Sequence, residues 1–514
     1  MKTIGLHRKI YYTWLIAITL SLLPFTGFSQ LPDITISLNL KNKTTAKALE
    51  VISFQTGYYF TFNSDLLSGY EKISLKLNEV PLKTALDSLF KNPDLNYQLI
   101  DKNIVIYRKS IASTAEQETR EDTAPLRIEG KIRDRQTGEE LPFVTIMIHG
   151  TNKGIISNEQ GEFTLMIPEK MEDPILVVSM IGYKNNYTHL NRNKTEDILI
   201  ELEKDVISLQ EVIIRYQNPD EVVKELINNI SNNYLDEPSS MDAYFREYVQ
   251  KSKEFLTFSE AVIDIAKSPY TISLKSDNVR IIKGRKLQNI TTEDSIVMKI
   301  QSGVKSSLQL DIVKIRPDFL LNDFDKYYDL EFRNIVSYRN QQVYLIGFKP
   351  REGIPYALYS GELYVNTNDL ALVAADFSIS PEELRKNPER FLVKKSPYIK
   401  IRPQKASYRV EYRKKDQKYH ISMVQAEVSF RIRKKRQWFS SLYNIGIEMA
   451  ITEVETGIRE NIPRKERLKP NAIFSDQQFS YDPSFWGDYN IIQPEASLRE
   501  ALRRMGYEWE NMGE

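Results

Sequence analysis

Apolar residues recur at every second position over 34–40 (Ile34, Ile36, Leu38, Leu40), the pattern of a strand with one buried face. Thr44 and Thr45 then offer a helix cap, Ala48, Leu49 and Ile52 form a helical stripe, and Gly57 stops it. Strands are predicted over 58–62 and 73–77, Pro81 opens a second helix carrying Leu82, Ala85, Leu86 and Leu89, and a hairpin over 97–100 and 104–107 closes a small βαββαββ unit. A polar, aperiodic stretch follows over 109–125, read as a linker that lets its neighbours move independently. From 126 to 202 the pattern changes to short alternating runs ("LRIEGKIRD", "FVTIMIHG", "GIISN", "GEFTLMIP", "ILVVSMIGYKN", "DILIELE") punctuated by Gly138, Gly154, Gly161 and Gly182. Six or seven closely spaced strands predict an antiparallel sandwich.

The remaining chain opens with a helix capped by Asn218, with Pro219 in its first turn and Val222, Leu226, Ile230 and Tyr234 on one face. Strands dominate after that: "AYFREYVQK", "FLTFSEAVIDIAK", "QVYLIGFKP", hairpins pairing 356–364 with 370–379 and 408–413 with 419–433, and "SLYNIGIEMAITEVE". Turns fall at 366–369 and 414–417, and a closing helix behind Pro494 places Leu498, Ala501, Leu502 and Met505 on one face. The chain therefore reads as multi-domain and mainly β: a small α+β domain over 30–108, a sandwich over 126–204, and a large curved antiparallel sheet with flanking helices over 216–514.

Residues 1–29 read as an export signal. Lys2, His7, Arg8 and Lys9 precede an apolar run over 10–23, Pro24 interrupts it, and Gly27 and Ser29 suit cleavage before Gln30. The run is short for a membrane span, a retained anchor being the alternative reading. Across 514 residues there is no cysteine, which removes disulfides, thiolate metal sites and thioether lipid attachment.

"TAKALEVISFQTGYYFTFN" and "VPLKTALDSLF" resemble the secretin and TonB short N-terminal domain, which implies a periplasmic module making protein contacts around outer-membrane machinery. "GKIRDRQTGEELPFVTIMIHGTNKGIISNEQGEFTLMIP" with "MIGYKN" resembles the carboxypeptidase regulatory-like domain, a transthyretin-like sandwich. Ser157, Asn158, Glu159 and Gln160 replace the threonine–aspartate step of many members, so no ligand is implied by that turn. Part of the last region, notably "SGELYVNTNDLALVAADFSI", resembles the half-barrel of periplasmic lipoprotein carriers, and "MDAYFREYVQK…FSEAVIDIAKSPY" resembles uncharacterised parts of other envelope proteins.

Candidate chemistry is sparse. Beyond the leader the histidines are His149, His189 and His420, and three residues after them stand Asn152, Arg192 and Met423, so the zinc set of a carboxypeptidase is not available. No glycine-rich phosphate loop opens a helix, a serine nucleophile would lack its glycine-flanked elbow and depend on His420, and paired carboxylates have no spacing signal. No catalytic, cofactor-binding or metal residue is assigned, and no cofactor is expected. Overall charge is +1, but 385–436 carries eighteen Lys or Arg against four acids, interleaved with Phe391, Tyr398, Tyr408, Tyr412, Tyr419 and Phe430. That stretch suits an anionic lipid or polysaccharide as well as a plain solvated face, and nucleic acid is not an expected partner of an exported chain. Charges such as Glu260, Lys267 and Arg280 and the run "RIRKKRQ" disfavour a transmembrane barrel.

The expectation is a non-enzymatic binding or assembly protein in the periplasm or on the periplasmic face of the outer membrane. It would recognise an envelope protein and, on the curved sheet, an apolar or amphiphilic ligand. The alternatives are a hydrolase with a site in 216–514 and a TonB-linked signal transducer. A carrier should show a deep apolar groove, a hydrolase convergent acids with shifted pKa values.

Overall fold

The computed structural model describes residues 34–61, 72–90, 95–100, 103–108, 125–169, 171, 173–190, 195, 197–205, 218–252, 254–272, 277–288, 304–354, 359–386, 399–434, 438–457, 462–469, 489–494 and 499–500. The expected export signal, nearly all of the expected linker and most of the expected closing helix lie outside them; Arg499 and Glu500 are helical. Two compact units are present, 1–119 and 120–514. No helix among the described residues is long and apolar enough to cross a membrane.

The first unit follows its sequence pattern closely. Its order is β1 (Thr35–Lys43), α1 (Thr45–Thr56), β2 (Tyr59–Thr61), β3 (Ile73–Pro81), α2 (Leu82–Leu89), β4 (Leu95–Ile100) and β5 (Asn103–Arg108). The Thr44 side chain accepts from the Lys47 amide, and Gly57 ends α1 in the left-handed region at φ 70°. β1 pairs with β3, and β5 lies between β2 and β4. The apolar stripes of both helices and the inner faces of β1 and β5 make one core, including Ile36, Leu38, Leu49, Ile52, Leu86 and Ile104.

In the second unit, the sandwich holds β6 (Leu126–Asp134), β7 (Thr145–Ile148), β8 (Gly154–Ile156), β9 (Glu162–Ile167), β10 (Ile175–Ser179), β11 (Asn186–His189) and β12 (Ile198–Leu202). Its sheets run β11-β10-β7-β8 and β12-β6-β9. One pair departs from the antiparallel expectation: β12 lies parallel to β6, because the last strand returns beside the first in the same direction. Gly161 has φ 70°, and a Cβ there would collide with the Ile132 carbonyl, so this turn requires glycine.

Helix α3 (Pro219–Asn228) is capped by Asn218, whose side chain accepts from the Asp220 amide at 2.9 Å. It stops before the expected stripe is complete. The Asn229 side chain donates to the Glu225 carbonyl, a separate turn α4 (Ile230–Asn233) follows, and Tyr234 is extended. Ten strands then form one antiparallel sheet: β13 (Ser239–Lys251), β14 (Glu254–Lys267), β15 (Asn278–Gln288), β16 (Tyr328–Tyr338), β17 (Gln341–Pro350), β18 (Tyr359–Asn366), β19 (Leu372–Ile379), β20 (Ile399–Lys415), β21 (Lys418–Lys434) and β22 (Ser441–Thr456). Its order is β15-β14-β13-β22-β21-β20-β19-β18-β17-β16. From β13 the chain steps outward to one edge, crosses through α5 (Val304–Gln309) to the other edge, and meanders back until β22 joins β13. Asp416 and Gln417, both at positive φ, make the two-residue turn between β20 and β21.

The two faces of this sheet are covered differently. Val222, Val223 and Leu226 of α3, with Val304, Leu308, Ile312, Phe319 and Phe324 of the crossover, pack on the first face against Phe245, Ile263, Ile346, Val410 and Ile421. Phe319 stacks on Phe348 with ring centres 4.5 Å apart. The sandwich packs on the second face, where Tyr244, Val262, Met423 and Ala450 share a core with Ile146, Ile155, Phe163 and Leu165. Edges β15 and β16 do not pair with one another among the described residues, so the sheet is open and both faces meet protein. Among the described residues that arrangement leaves no lipid-facing band, which argues against the barrel alternative.

A buried ionic cluster ties the crossover down. Lys267 bonds Asp311 at 2.6 Å and Asp277 at 3.0 Å, and Lys314 bonds Asp277 at 2.6 Å. The Tyr412 hydroxyl donates to Asp311 at 3.0 Å. Burial works against the Asp277 charge, but the two lysines hold its pKa down at about 2.

Candidate functional site: the groove between sandwich and sheet

Where the sandwich overhangs the second face, it leaves a cavity of about 610 Å³. Phe143 and Glu159 come from the sandwich; Glu362, Asp376, Arg409 and Glu448 are among the residues from the sheet. The floor follows from strand register. Residues directly opposite on neighbouring antiparallel strands share a face. The pairings Arg285↔Glu260, Glu260↔Arg246, Arg246↔Glu448, Glu448↔Gln425, Gln425↔Arg409, Arg409↔Asp376 and Asp376↔Glu362 therefore line up a row of mostly alternating charge across eight strands. The row ends on Gly347, opposite Glu362. A Cβ on Gly347 would collide with the Arg333 guanidinium, which reaches across that bare position to pair with Glu362.

One half of the row is sealed beneath the sandwich. Arg246 is 1% exposed; it reaches Glu448 at 3.3 Å, Glu260 at 3.6 Å and the Ile492 carbonyl at 2.5 Å. Glu260 also accepts from Tyr244 and Arg285. The segment 489–494 threads between the layers. Asn490 accepts from the Met166 amide at 2.8 Å, Asn158 donates to the Gln493 carbonyl at 3.2 Å, and Ile491 and Ile492 enter the shared core.

The other half is the groove floor. Arg409 holds both oxygens of Asp376, at 3.0 and 2.8 Å, and one oxygen of Glu411 through two nitrogens, at 2.9 and 2.7 Å. Burial raises the pKa of Asp376, Arg409 opposing it; burial likewise raises Glu448 against the pull of Arg246. Glu159, in the turn where the regulatory-like pattern is broken, is raised by burial and then by Glu427. Asn158 builds that turn, its side-chain oxygen accepting from the amides of Gln160 and Glu162, both at 2.9 Å.

Of the residues named in the sequence analysis, Glu159 and Tyr408 line the cavity, while the histidines lie elsewhere. None of the three histidines lines the cavity. His189 faces Asp173 at 3.7 Å and its pKa is lowered by burial. His420 is buried and neutral: burial and then Arg413 push its pKa well down, Nδ1 lies 2.7 Å from the Ile421 carbonyl, and Nε2 faces Arg413 at 3.4 Å. The groove acids carry no sequence motif. Glu362, Asp376 and Glu448 are each one charge on an apolar strand ("GELYV", "AADFSI", "IGIEMA"), which reads as ordinary solvent-facing alternation until register brings the strands together. The expected deep apolar groove is not found on the first face as described, since the chain's own helix and crossover fill it.

A second carboxylate row crosses the junction nearby. Asp242 stands opposite Asp264 on β14 and Glu453 on β22, with Arg280 on Asp264 at 2.9 Å and Lys153 of the sandwich on Glu453 at 3.2 Å. Burial, then Asp264, raises the Asp242 pKa to about 7. A carboxyl raised on folding favours the protonated fold, so its contribution is complete below the unfolded value near 4 and is lost as pH rises through 7. We expect Asp242→Asn to remove that loss: in denaturant titrations its stability advantage over the parent grows between pH 4 and 7. An unchanged difference across that window would refute the assignment.

Residues 58–109 match the secretin and TonB N-terminus short domain, and residues 128–214 match the carboxypeptidase regulatory-like domain. No curated protein matches the chain significantly. Similar solved structures include a DUF1329 family protein from Desulfovibrio piger, at 11% identity over 47% of this chain and 95% of that one, with a TM-score of 0.19. MucB in complex with MucA matches at 9% identity over 46% and 98%, TM-score 0.15. A putative membrane-associated protein of unknown function from Bacteroides fragilis matches at 11% over 65% and 99%, TM-score 0.13.

Proposed function

We propose that the protein is a non-enzymatic binding protein of the cell envelope, and that the groove takes an extended, cationic segment of a polypeptide partner. The carrying observation is the groove lining, where five acids (Glu159, Glu362, Asp376, Glu427, Glu448) outnumber three cations (Arg333, Lys349, Arg409) over a row of fixed ion pairs. A ligand with spaced positive groups complements that field. Envelope location is supported by the signal-like pattern over 1–29 and the short N-terminal domain match, and that first unit would contact a second envelope protein.

Recognition is preferred over catalysis because a central floor carboxylate is engaged within the fold: both oxygens of Asp376 accept from Arg409. A general base or nucleophile needs a free lone pair aimed at substrate. The hydrolase alternative draws support from the raised pKa values of Asp376, Glu448 and Glu159 around one cavity. The TonB-linked alternative draws on the short-domain match and expects deletion of 34–107 to abolish a response with the rest folded.

Calorimetric titration of residues 30–514 with a lysine-rich and a glutamate-rich decapeptide separates these readings. The lysine-rich peptide should bind at least tenfold tighter, with affinity falling as salt rises. Equal or reversed preference would overturn the proposal, and cleavage of either peptide would replace it with the hydrolase.

A further inference from the structure

The end of the β20–β21 hairpin carries a charge arrangement that the fold itself does not balance. Lys400 lies directly opposite Arg433, and Arg402 directly opposite Arg431. Like charges in register across a ladder repel. All four side chains are exposed, and among the described residues no carboxylate pairs with them. Glu427, further along β21, is engaged by Lys405. Sequence adds Lys434, Lys435 and Arg436 before β22 begins.

Beside this patch, Trp438 and Phe439 are 92% and 87% exposed. Among the described residues of the second unit, no other large apolar side chain exceeds 49% exposure. Scattered apolar residues on a surface are ordinary, but two adjacent aromatic rings almost wholly in water, beside uncompensated cations, form an amphipathic tip.

We propose that this tip docks on an anionic lipid bilayer surface, with Trp438 and Phe439 entering the interface and Lys400, Arg402, Arg431 and Arg433 meeting the headgroups. Charge complementarity selects the anionic partner. The aromatic pair selects a bilayer over a soluble polyanion, because a polyanion balances the cations but offers Phe439, which has no polar edge, no apolar depth to enter. A bilayer relieves the cross-strand repulsion and the aromatic exposure in one contact. This surface is independent of the groove and its ligand.

The test is sedimentation of residues 30–514 with vesicles of phosphatidylcholine alone and with vesicles that also carry anionic phosphatidylglycerol, which supplies a negative surface potential. Binding to the anionic vesicles should exceed binding to the neutral ones by at least tenfold and fall in high salt. The double variant Trp438→Ala/Phe439→Ala should lose at least tenfold of it, and Arg431→Glu/Arg433→Glu should lose a similar amount without lowering the melting temperature, since it replaces repulsive pairs by attractive ones. Equal binding to both vesicle types, unaltered binding by the aromatic variant, or binding to heparin without binding to vesicles would overturn the proposal. So would a concentration-dependent dimer abolished by the aromatic variant, which would assign the tip to a second copy of the chain.

Discussion

Arg246→Met is expected to destabilise the second unit by about 3–5 kcal/mol, the typical cost of stranding a buried charge. Arg246 is 1% exposed and bridges the carboxylates of Glu448 and Glu260 while donating to the Ile492 carbonyl. Tyr244 and Phe258 rings lie 5.3 and 5.6 Å from its guanidinium, so methionine fits the space but not the charge. Without the arginine, Glu260 keeps Tyr244 and Arg285, but Glu448 loses its cation in a site where burial already raises its pKa. Adding Glu448→Gln should therefore recover a large part of the loss. Chemical denaturation of the parent, both single variants and the double variant measures the coupling. Additive single effects would show that the two side chains do not act as a coupled buried pair across β13 and β22.

Glu362→Lys with Glu427→Lys is expected to weaken lysine-rich peptide binding by at least tenfold, about 1.4 kcal/mol or more. Both side chains line the groove, 28% and 47% exposed, and each already faces a cation, Arg333 and Lys405 respectively. Reversal leaves like charges side by side at the surface, a small cost to folding where screening is strong. It turns the rim field from acidic to basic, so the glutamate-rich peptide should gain what the lysine-rich one loses. Parallel titrations of both peptides read this out, and loss of affinity for both would point to a damaged fold.

Local signals in the chain were legible where a single element decides its own form. Thr44, Gly57 and Pro81 bound the helices of the first unit, and Asp416–Gln417 turn the β20–β21 hairpin, because caps and tight turns are set within a few residues. β20 begins at Ile399, before the segment that alternation suggested, since its first half carries Lys400, Arg402 and Lys405 around Pro403 and reads as loop. β15 and β16 carry no clear strand alternation for a similar reason, with "NVRIIKGRKLQ" and "YDLEFRNIVSY" mixing charge and apolar residues at edge strands. The groove was not legible at all. It depends on β22 returning beside β13 and on register across the sheet, and long-range pairing of that kind leaves no mark in local sequence.

The most direct measurement is photo-crosslinking of a lysine-rich decapeptide carrying a photoreactive residue to residues 30–514, followed by mass mapping of the adducts. The account predicts attachment to β18–β21 and to the 143–160 stretch of the sandwich, competed by unlabelled peptide and lost in the Glu362→Lys/Glu427→Lys variant. Specific, competed adducts confined to the first unit or to the opposite face of the sheet would contradict it.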